Sequence, residues 1–489
     1  MAEAAPRPPI ERLTLYLLLG FSAGLPYYMF NAVLLLRLAR HDVDIVLIGF
    51  FAWVALLPVF KFAWAPLLDR FDIPGFSPFW GNRRGWIMLS QFGIFVAMVA
   101  MAFTSNDRSL PVTALFAVLL AFWATTLEVA SDGWRIELAP TQAEQGPMVT
   151  ANLWGYRSAM VIAGSGAAYV AGQFDWTWAY LTIAALAFIP FPILCAMRPE
   201  PGRQASRHAA LATGLAASFA ILLASLIVIA VIGWAMLGMA ARLGISSRSN
   251  VTPVVLGVAL LPFVVLALAL PWISRLPANA PARRSAAIGP YVDIFWRYGY
   301  RVLPLLAFAA IYRMGDVMTL TLSHPLWNAR GYSLNQIAVA DGPVAVLSSV
   351  AGVALGGWMA ARWRMGLALM VGALGSAVGN AIFAWLWLAP PSNFVIYLSA
   401  GIDQFAHGLQ SAVFVVYLSL LVNPRYPVAQ YAFLSGFAFL LPRLVAGASG
   451  AMQTRIGYAG FFLLAGGLSA SALLLLPFIT KAKPRADEA

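Results

Sequence analysis

Apolar stretches long enough to cross a bilayer as helices, about 20 residues each, recur along the whole chain, divided by short polar breaks that carry arginine. In hydrocarbon only a helix or a closed barrel satisfies its own backbone, and these runs are too long for barrel strands. Residues 1–200 contain six predicted spans: Leu13–Leu36, Val46–Ala65, Gly85–Thr104, Leu110–Ser131, Ala151–Gln173 and Trp178–Met197. A polar link, Arg198–His208, leads to two more, Ala209–Ala240 and Thr252–Ser274. A second link, Arg275–Arg301, holds the densest positive charge in the chain. Residues 301–489 contain six further spans: Val302–Ser323, Gln336–Ala360, Gly366–Leu388, Phe394–Leu421, Ala429–Met452 and Tyr458–Ile479. The pattern predicts an all-α polytopic membrane protein with about 14 spans. Two six-helix halves, 1–200 and 301–489, flank a linker, 201–300, that carries two additional helices and a basic cytoplasmic loop. Arg-rich turns recur at one place in each half, Pro66 to Arg84 and Gly356 to Arg364. This weak repeat in the right position is the layout of major facilitator transporters.

Composition agrees with the pattern. Of 489 residues, 61% are hydrophobic and only 10% charged, against roughly 25% charged in soluble domains. The net charge of +12 comes from 28 arginines and 3 lysines. They are scattered between spans without a dense aromatic-basic run, so membrane lipids are the expected partner and nucleic acid is not. With the N-terminus inside, roughly 20 basic residues fall on the cytoplasmic side and roughly 7 outside, which places both termini in the cytoplasm. The first run exceeds a signal-peptide core and reads as an uncleaved span. The one cysteine, Cys195, excludes an intrachain disulfide and reads as a small apolar packing residue. No Walker loop, metalloprotease helix or serine-hydrolase elbow is present. The expected protein is therefore not an enzyme, holds no metal or cofactor, and takes its energy from a gradient. A monomer is the default state.

Charges inside spans are costly and need a reason. Glu128 and Asp132 lie four apart on one helix face, as a pair that shares a proton would; the bland reading pairs Asp132 with Arg135 or Arg157. Arg157, after Gly155-Tyr156, needs an anion, either Glu128 or a substrate carboxylate or phosphate. Arg313 and Asp316, three apart, can pair with each other. Asp403 and His407, four apart, can relay protons, or His407 can simply hydrogen-bond a neighbour. Arg443, in the next span, is read as either functional or structural. Lys61 is expected to snorkel to the cytoplasmic surface. Asp69, Arg70, Arg83 and Arg84 form a predicted charge network at a cytoplasmic gate. Gly164, Gly166 and Gly172, with Gly352-x3-Gly356 and Gly375-x3-Gly379, read as helix-packing positions.

The same stretches resemble the AmpG family of major facilitator transporters, the muropeptide permeases of the bacterial inner membrane. The resemblance runs through Leu19-Gly20-Phe21-Ser22-Ala23-Gly24-Leu25-Pro26, Ile48-Gly49-Phe50-Phe51, Lys61 to Arg70, and Arg83-Arg84-Gly85-Trp86. It continues through Glu128 to Glu137, Gly155-Tyr156-Arg157, and Tyr312-Arg313-Met314-Gly315-Asp316. It covers nearly the whole chain and is stronger in the first half. The chain departs from the family at Leu127-Glu128, where a Gln-Asp is usual, and at Leu35, Gly342, His407 and Gln410. The resemblance implies proton-coupled import of anhydro-muropeptides, with a small-molecule substrate and protons as partners. The costly in-span charges are the candidates for proton coupling, Glu128, Asp132, Asp316, Asp403 and His407, and Arg157, Arg313, Tyr156 and Gln410 are the candidates for substrate contact. Two alternatives stay open: a major facilitator fold that assists assembly without transporting, and a carrier of an acyl-CoA-like solute. A membrane enzyme such as a lipid-linked glycosyltransferase would need a long outer loop that the sequence lacks.

Overall fold

Helix accounts for all the regular structure in the computed structural model, which describes residues 8–40, 53–73, 77–104, 110–197, 268–277, 280–285, 287–480 and 485. The main helices are α1 (Ile10–Leu38), α2 (Ala65–Arg70), α3 (Asn82–Ala102), α4 (Leu110–Leu138), α5 (Gln142–Val161) and α6 (Trp176–Ala196). After these come α7 (Gly289–Tyr298), α8 (Val302–Ala329), α9 (Asn335–Arg362), α10 (Met365–Leu388), α11 (Asn393–Leu421), α12 (Pro427–Ala446) and α13 (Ser449–Thr480). Among the described residues ten helical segments are long and apolar enough to cross a membrane. The predicted helix Ala209–Ala240, the link Arg198–His208 and all but the end of Thr252–Ser274 lie outside the described residues.

Two predicted spans do not read as single apolar helices. The second is a 3-10 helix, Trp53–Ala63, running into α2; its first residues, 46–52, lie outside the described residues. The fifth is helical, but α5 continues through a π-turn, Ile162–Gly166, into Ala167–Gln173. Within the predicted span, Asn152, Arg157, Ser158 and Ser165 make it less apolar than the other spans. The last boundary also shifts. The span expected at Ala429–Met452 ends at Ala446, and α13 starts at Ser449 with a break at Gly457, whose φ of 71° suits a residue without Cβ.

Helix starts follow local signals. The Thr141 hydroxyl accepts from Glu144 N (3.4 Å), and the Glu144 carboxylate accepts from Thr141 N (3.2 Å). Ser333 and Gln336 repeat that reciprocal cap (3.3 and 2.8 Å). Asp175 caps α6 through Trp178 N (2.9 Å), and Ser392 caps α11 through Val395 N (3.3 Å). Each cap satisfies an amide that the helix leaves without a partner.

The chain divides into two units, Met1–Leu215 with Pro424–Ala432, and Ala216–Asn423 with Phe433–Ala489. In the first, α1 packs along α5, and α3 packs on α4 and α6. In the second, α9 packs along α11, α10 packs on α11 and α13, and α8 packs on α13. In both units the third helix of six therefore rests on the fourth and the sixth.

Glycines set the closest approaches. A Cβ on Gly20 would overlap the Asn152 carbonyl, and one on Gly155 the Leu17 carbonyl. Gly352 and Gly408 meet the carbonyls of Phe405 and Ser349 in the same way. Gly379 also packs tightly, with a would-be Cβ 2.9 Å from that of Ala406. Gly164 and Gly172 face open space, so those two are not packing positions as the sequence suggested.

Candidate functional site

The first unit places an acid and a base inside the membrane region. Lys61 Nζ lies 2.8 Å from Glu128 Oε1. Lys61 is 5% exposed, so it does not snorkel to the surface as its position near Pro66 suggested. The reason is Glu128, which supplies a carboxylate within the bundle; the Glu128 side chain keeps 38% of its surface open. One turn along α4, Asp132 turns to a different cation, Arg135 (3.0 Å). Arg135 is fully buried, donates to Gln145 and lies 5.6 Å from the centre of the Tyr431 ring. The two carboxylates thus share a helix face but have separate partners.

Beside Glu128, the rings of Tyr27 and Tyr28 approach Tyr156 at 6.0 and 6.2 Å. Tyr27 and Tyr28 immediately precede the π-turn Met29–Val33 of α1. Arg157 is half-buried and makes no ion pair or hydrogen bond among the described residues. A guanidinium held there without an anion is available to one that arrives.

The predicted gate is an ion network. Arg83 bridges Asp69 (2.8 Å) and Glu137 (2.7 Å) and also donates to the Leu68 carbonyl (2.7 Å). Asp69 accepts from the amides of Val428 (3.3 Å) and Ala429 (2.8 Å), the first turn of α12. Burial pushes the Asp69 carboxyl above its ordinary range, while Arg83 and the two amides pull it back. Arg70 lies 5.9 Å from the centre of the Tyr426 ring, and Arg84 is buried. Glu137 completes this cluster, although its sequence position alone gave no sign of it.

The second unit holds the more enclosed network. Arg313 Nη1 donates to Gln410 Oε1 (2.8 Å) and Ser411 Oγ (2.9 Å) and lies 3.2 Å from Asp316 Oδ2. His407 faces both: Nε2 is 3.4 Å from Arg313 Nη2, and Nδ1 is 3.9 Å from Asp316 Oδ2. The other Asp316 oxygen accepts from Ser376 (2.5 Å) and Asn380 (3.2 Å), which are themselves tied to Ser469. Arg313 also lies 5.2 Å from the centre of the Phe439 ring.

The sequence placed Arg313, Asp316, His407 and Gln410 on two helices without bringing them together; the fold does so. Gln410, expected to meet substrate, is fully buried, and its amide group donates to the Tyr312 carbonyl while its oxygen holds Arg313. Asp403 accepts from its neighbour Gln404 (2.9 Å), and His407 Nδ1 lies 3.9 Å from Asp316 Oδ2 on α8. Ser376, Asn380, Ser411 and Ser469 were missed because short polar side chains are ordinary in membrane helices. Arg37 was missed as well. Buried in α1, it donates to the carbonyls of Met101 (2.8 Å) and Thr104 (2.5 Å) and so closes the C-terminal end of α3. Cys195 lies in the candidate span Trp176–Ala196 and is exposed on its surface.

Comparison with solved structures gives the fold. The proton:xylose symporter XylE of the major facilitator superfamily superimposes with a TM-score of 0.60 at 14% identity, over 97% of this chain and 96% of that one. A human organic anion transporter superimposes with a TM-score of 0.58 at 15% identity, over 96% and 100%.

Sequence comparison narrows the class. The chain is 24% identical over 467 residues to the anhydromuropeptide permease of Escherichia coli K12, covering 95% of this chain and 79% of the relative. It is 25% identical over 468 residues to a putative AmpG transporter of Rickettsia conorii, covering 96% of both. No family model matches the sequence. The chain is thus similar in sequence to the AmpG permeases and similar in fold to major facilitator transporters. Those relatives are transporters and not enzymes.

Proposed function

We propose that the chain is a secondary transporter that imports an anionic, amphiphilic solute across the bacterial inner membrane, with both termini cytoplasmic and protons as the driving ion. Cell-wall anhydromuropeptide is the first candidate solute, because the relatives include an anhydromuropeptide permease. The observation that carries proton coupling is the triad of Arg313, Asp316 and His407. With His407 neutral, its Nε2 accepts from Arg313, and Asp316 neutralises the guanidinium. A proton on His407 turns that acceptor into a donor. The imidazolium then repels Arg313 and competes with it for Asp316. A proton arriving from water can therefore loosen a buried ion pair, and the His407 side chain is 23% open. Substrate contact is assigned to the first unit, where Tyr156 and Arg157 stand beside Glu128. Asp69 holds the start of α12, and with Arg70, Arg83 and Arg84 it forms a gate that does not touch substrate.

The test is uptake into proteoliposomes. An inward proton gradient is expected to drive accumulation of labelled anhydromuropeptide, and His407→Gln to uncouple accumulation from the gradient while exchange persists. Gradient-driven uptake unchanged in His407→Gln would remove the triad from the coupling mechanism. An absence of uptake for every anionic solute tested, with the folded protein present, would favour the assembly-factor reading.

Arg157→Gln makes a second prediction. Since Arg157 makes no ion pair or hydrogen bond among the described residues, thermal stability should stay near that of the parent. The KM for an anionic solute should rise about tenfold or more, the worth of one charge-assisted hydrogen bond. A fall in stability at unchanged KM would mean that Arg157 is structural.

A further inference from the structure

The densest positive charge in the chain takes no part in either ion network. The segment Arg275–Arg301 contains five arginines, Arg275, Arg283, Arg284, Arg297 and Arg301, and a single acid, Asp293. The fold gathers them. The Arg283 guanidinium lies 3.8 Å from the centre of the Trp296 indole, and that of Arg485 lies 5.9 Å from the same ring. Arg485 is tied to this place by its amide, which donates to the Arg297 carbonyl (2.9 Å), and by its side chain, which reaches the Ser274 carbonyl (3.4 Å). Asp293 lies 4.0 Å from Arg297 and also accepts from Asn423 (3.1 Å). Two guanidinium groups thus address one indole, with Arg297 next in sequence and one carboxylate near. Like charges brought this close repel unless an anion joins them.

We propose that this elbow, with Arg485, binds the headgroup of an anionic phospholipid. Exposed apolar side chains mark its level in the membrane. Trp272 is 68% exposed, Tyr300 59% and Ile288 43%, and they lie in sequence near the exposed Arg275, Arg284 and Arg301. Aromatic rings beside arginines are what the bilayer interface selects. The short helix α7 is amphipathic. It turns Phe295 and Tyr291 onto Phe433, at ring distances of 5.7 and 5.6 Å, while Arg297 stays half-open beside the cluster. A helix of this kind lies along an interface with its basic side toward phosphate. Guanidinium groups fit a phosphodiester with two parallel hydrogen bonds. The flanking rings favour a lipid over free phosphate, because they give its acyl chains a surface to rest on.

The experiment uses purified full-length protein in detergent, titrated with dioleoyl phosphatidylglycerol, dioleoyl phosphatidylcholine or inorganic phosphate. Thermal unfolding and native mass spectrometry are the readouts. Phosphatidylglycerol is expected to raise the melting temperature and to remain bound in the spectrum, and the other two are not. Each exposed arginine removed should weaken that binding about fivefold, so Arg275→Gln, Arg284→Gln and Arg301→Gln together should weaken it about 100-fold. Added salt should weaken it further. Arg284→Glu alone serves if the triple variant does not fold. Equal retention of phosphatidylcholine, an equal shift from inorganic phosphate, or undiminished phosphatidylglycerol binding in these variants would each overturn the proposal.

Discussion

Asp316→Ala is expected to cost on the order of 3–5 kcal/mol of stability, because it leaves the Arg313 charge buried without its carboxylate. Arg313 is 5% and Asp316 6% exposed, so water cannot take the carboxylate's place. Ser376 and Asn380 would lose their acceptor at the same time. Its hydrogen-bond partners Gln410 and Ser411 are neutral and do not replace the carboxylate. Replacing both charges changes the sum. Arg313→Met with Asp316→Leu removes the unpaired ion and fills similar volume, so most of the loss should return. Thermal unfolding of the purified variants in detergent completes the cycle. Should the double variant be as unstable as the sum of the single ones, the pair is not coupled, and the account of His407 competing for Asp316 loses its basis. Function should separate from stability here. The double variant is expected to be well folded yet unable to use a proton gradient, since His407 then has no ion pair to divide.

Most of the described spans and part of the site are legible in the sequence, and the reason lies in how each is encoded. A helix such as Met365–Leu388 announces itself by length and apolarity alone, and Thr141 with Glu144 announces a helix start by local spacing. The triad is different. Arg313 and Asp316 are one turn apart and readable as a pair, but His407 lies on α11, far away in the chain. Only the packing of the helices brings its ring to them. The same holds for Lys61 and Glu128, which sequence spacing could not join, so that Lys61 was assigned to the surface. Polar supports such as Asn380 carry no signal, because nothing in a lone Asn says which carboxylate it will meet. The resemblance to the AmpG permeases supplied the class, yet the departures at Glu128, His407 and Gln410 fall on the residues that build both networks.

Gly155→Ala is expected to destabilise the first unit strongly, whereas Gly164→Ala, nine residues along the same helical segment, should be neutral or slightly stabilising. The contrast comes from what a methyl group would meet. At Gly155 it would overlap the Leu17 carbonyl and crowd the Phe21 amide (2.7 Å), both backbone atoms of α1 that cannot turn aside. Relief requires moving α1 away from α5, with a cost of about 1–3 kcal/mol or more for overpacking. At Gly164 nothing lies within 4 Å, so the substitution chiefly removes backbone freedom from the unfolded chain, a gain of roughly 0.4–1 kcal/mol. Thermal unfolding of the two single variants gives the comparison, and equal shifts would show that close packing of α1 on α5 is not what Gly155 provides. The displacement should also reach the site. α1 carries Tyr27 and Tyr28, and α5 carries Tyr156 and Arg157, so separating the helices moves two sides of one aromatic cluster. Gly155→Ala is therefore expected to raise the KM for solute even in the fraction that stays folded, and Gly164→Ala to leave it unchanged. The same logic in the second unit predicts that Gly408→Ala, which meets the Ser349 carbonyl, loosens α9 from α11 and so shifts the helix that carries His407.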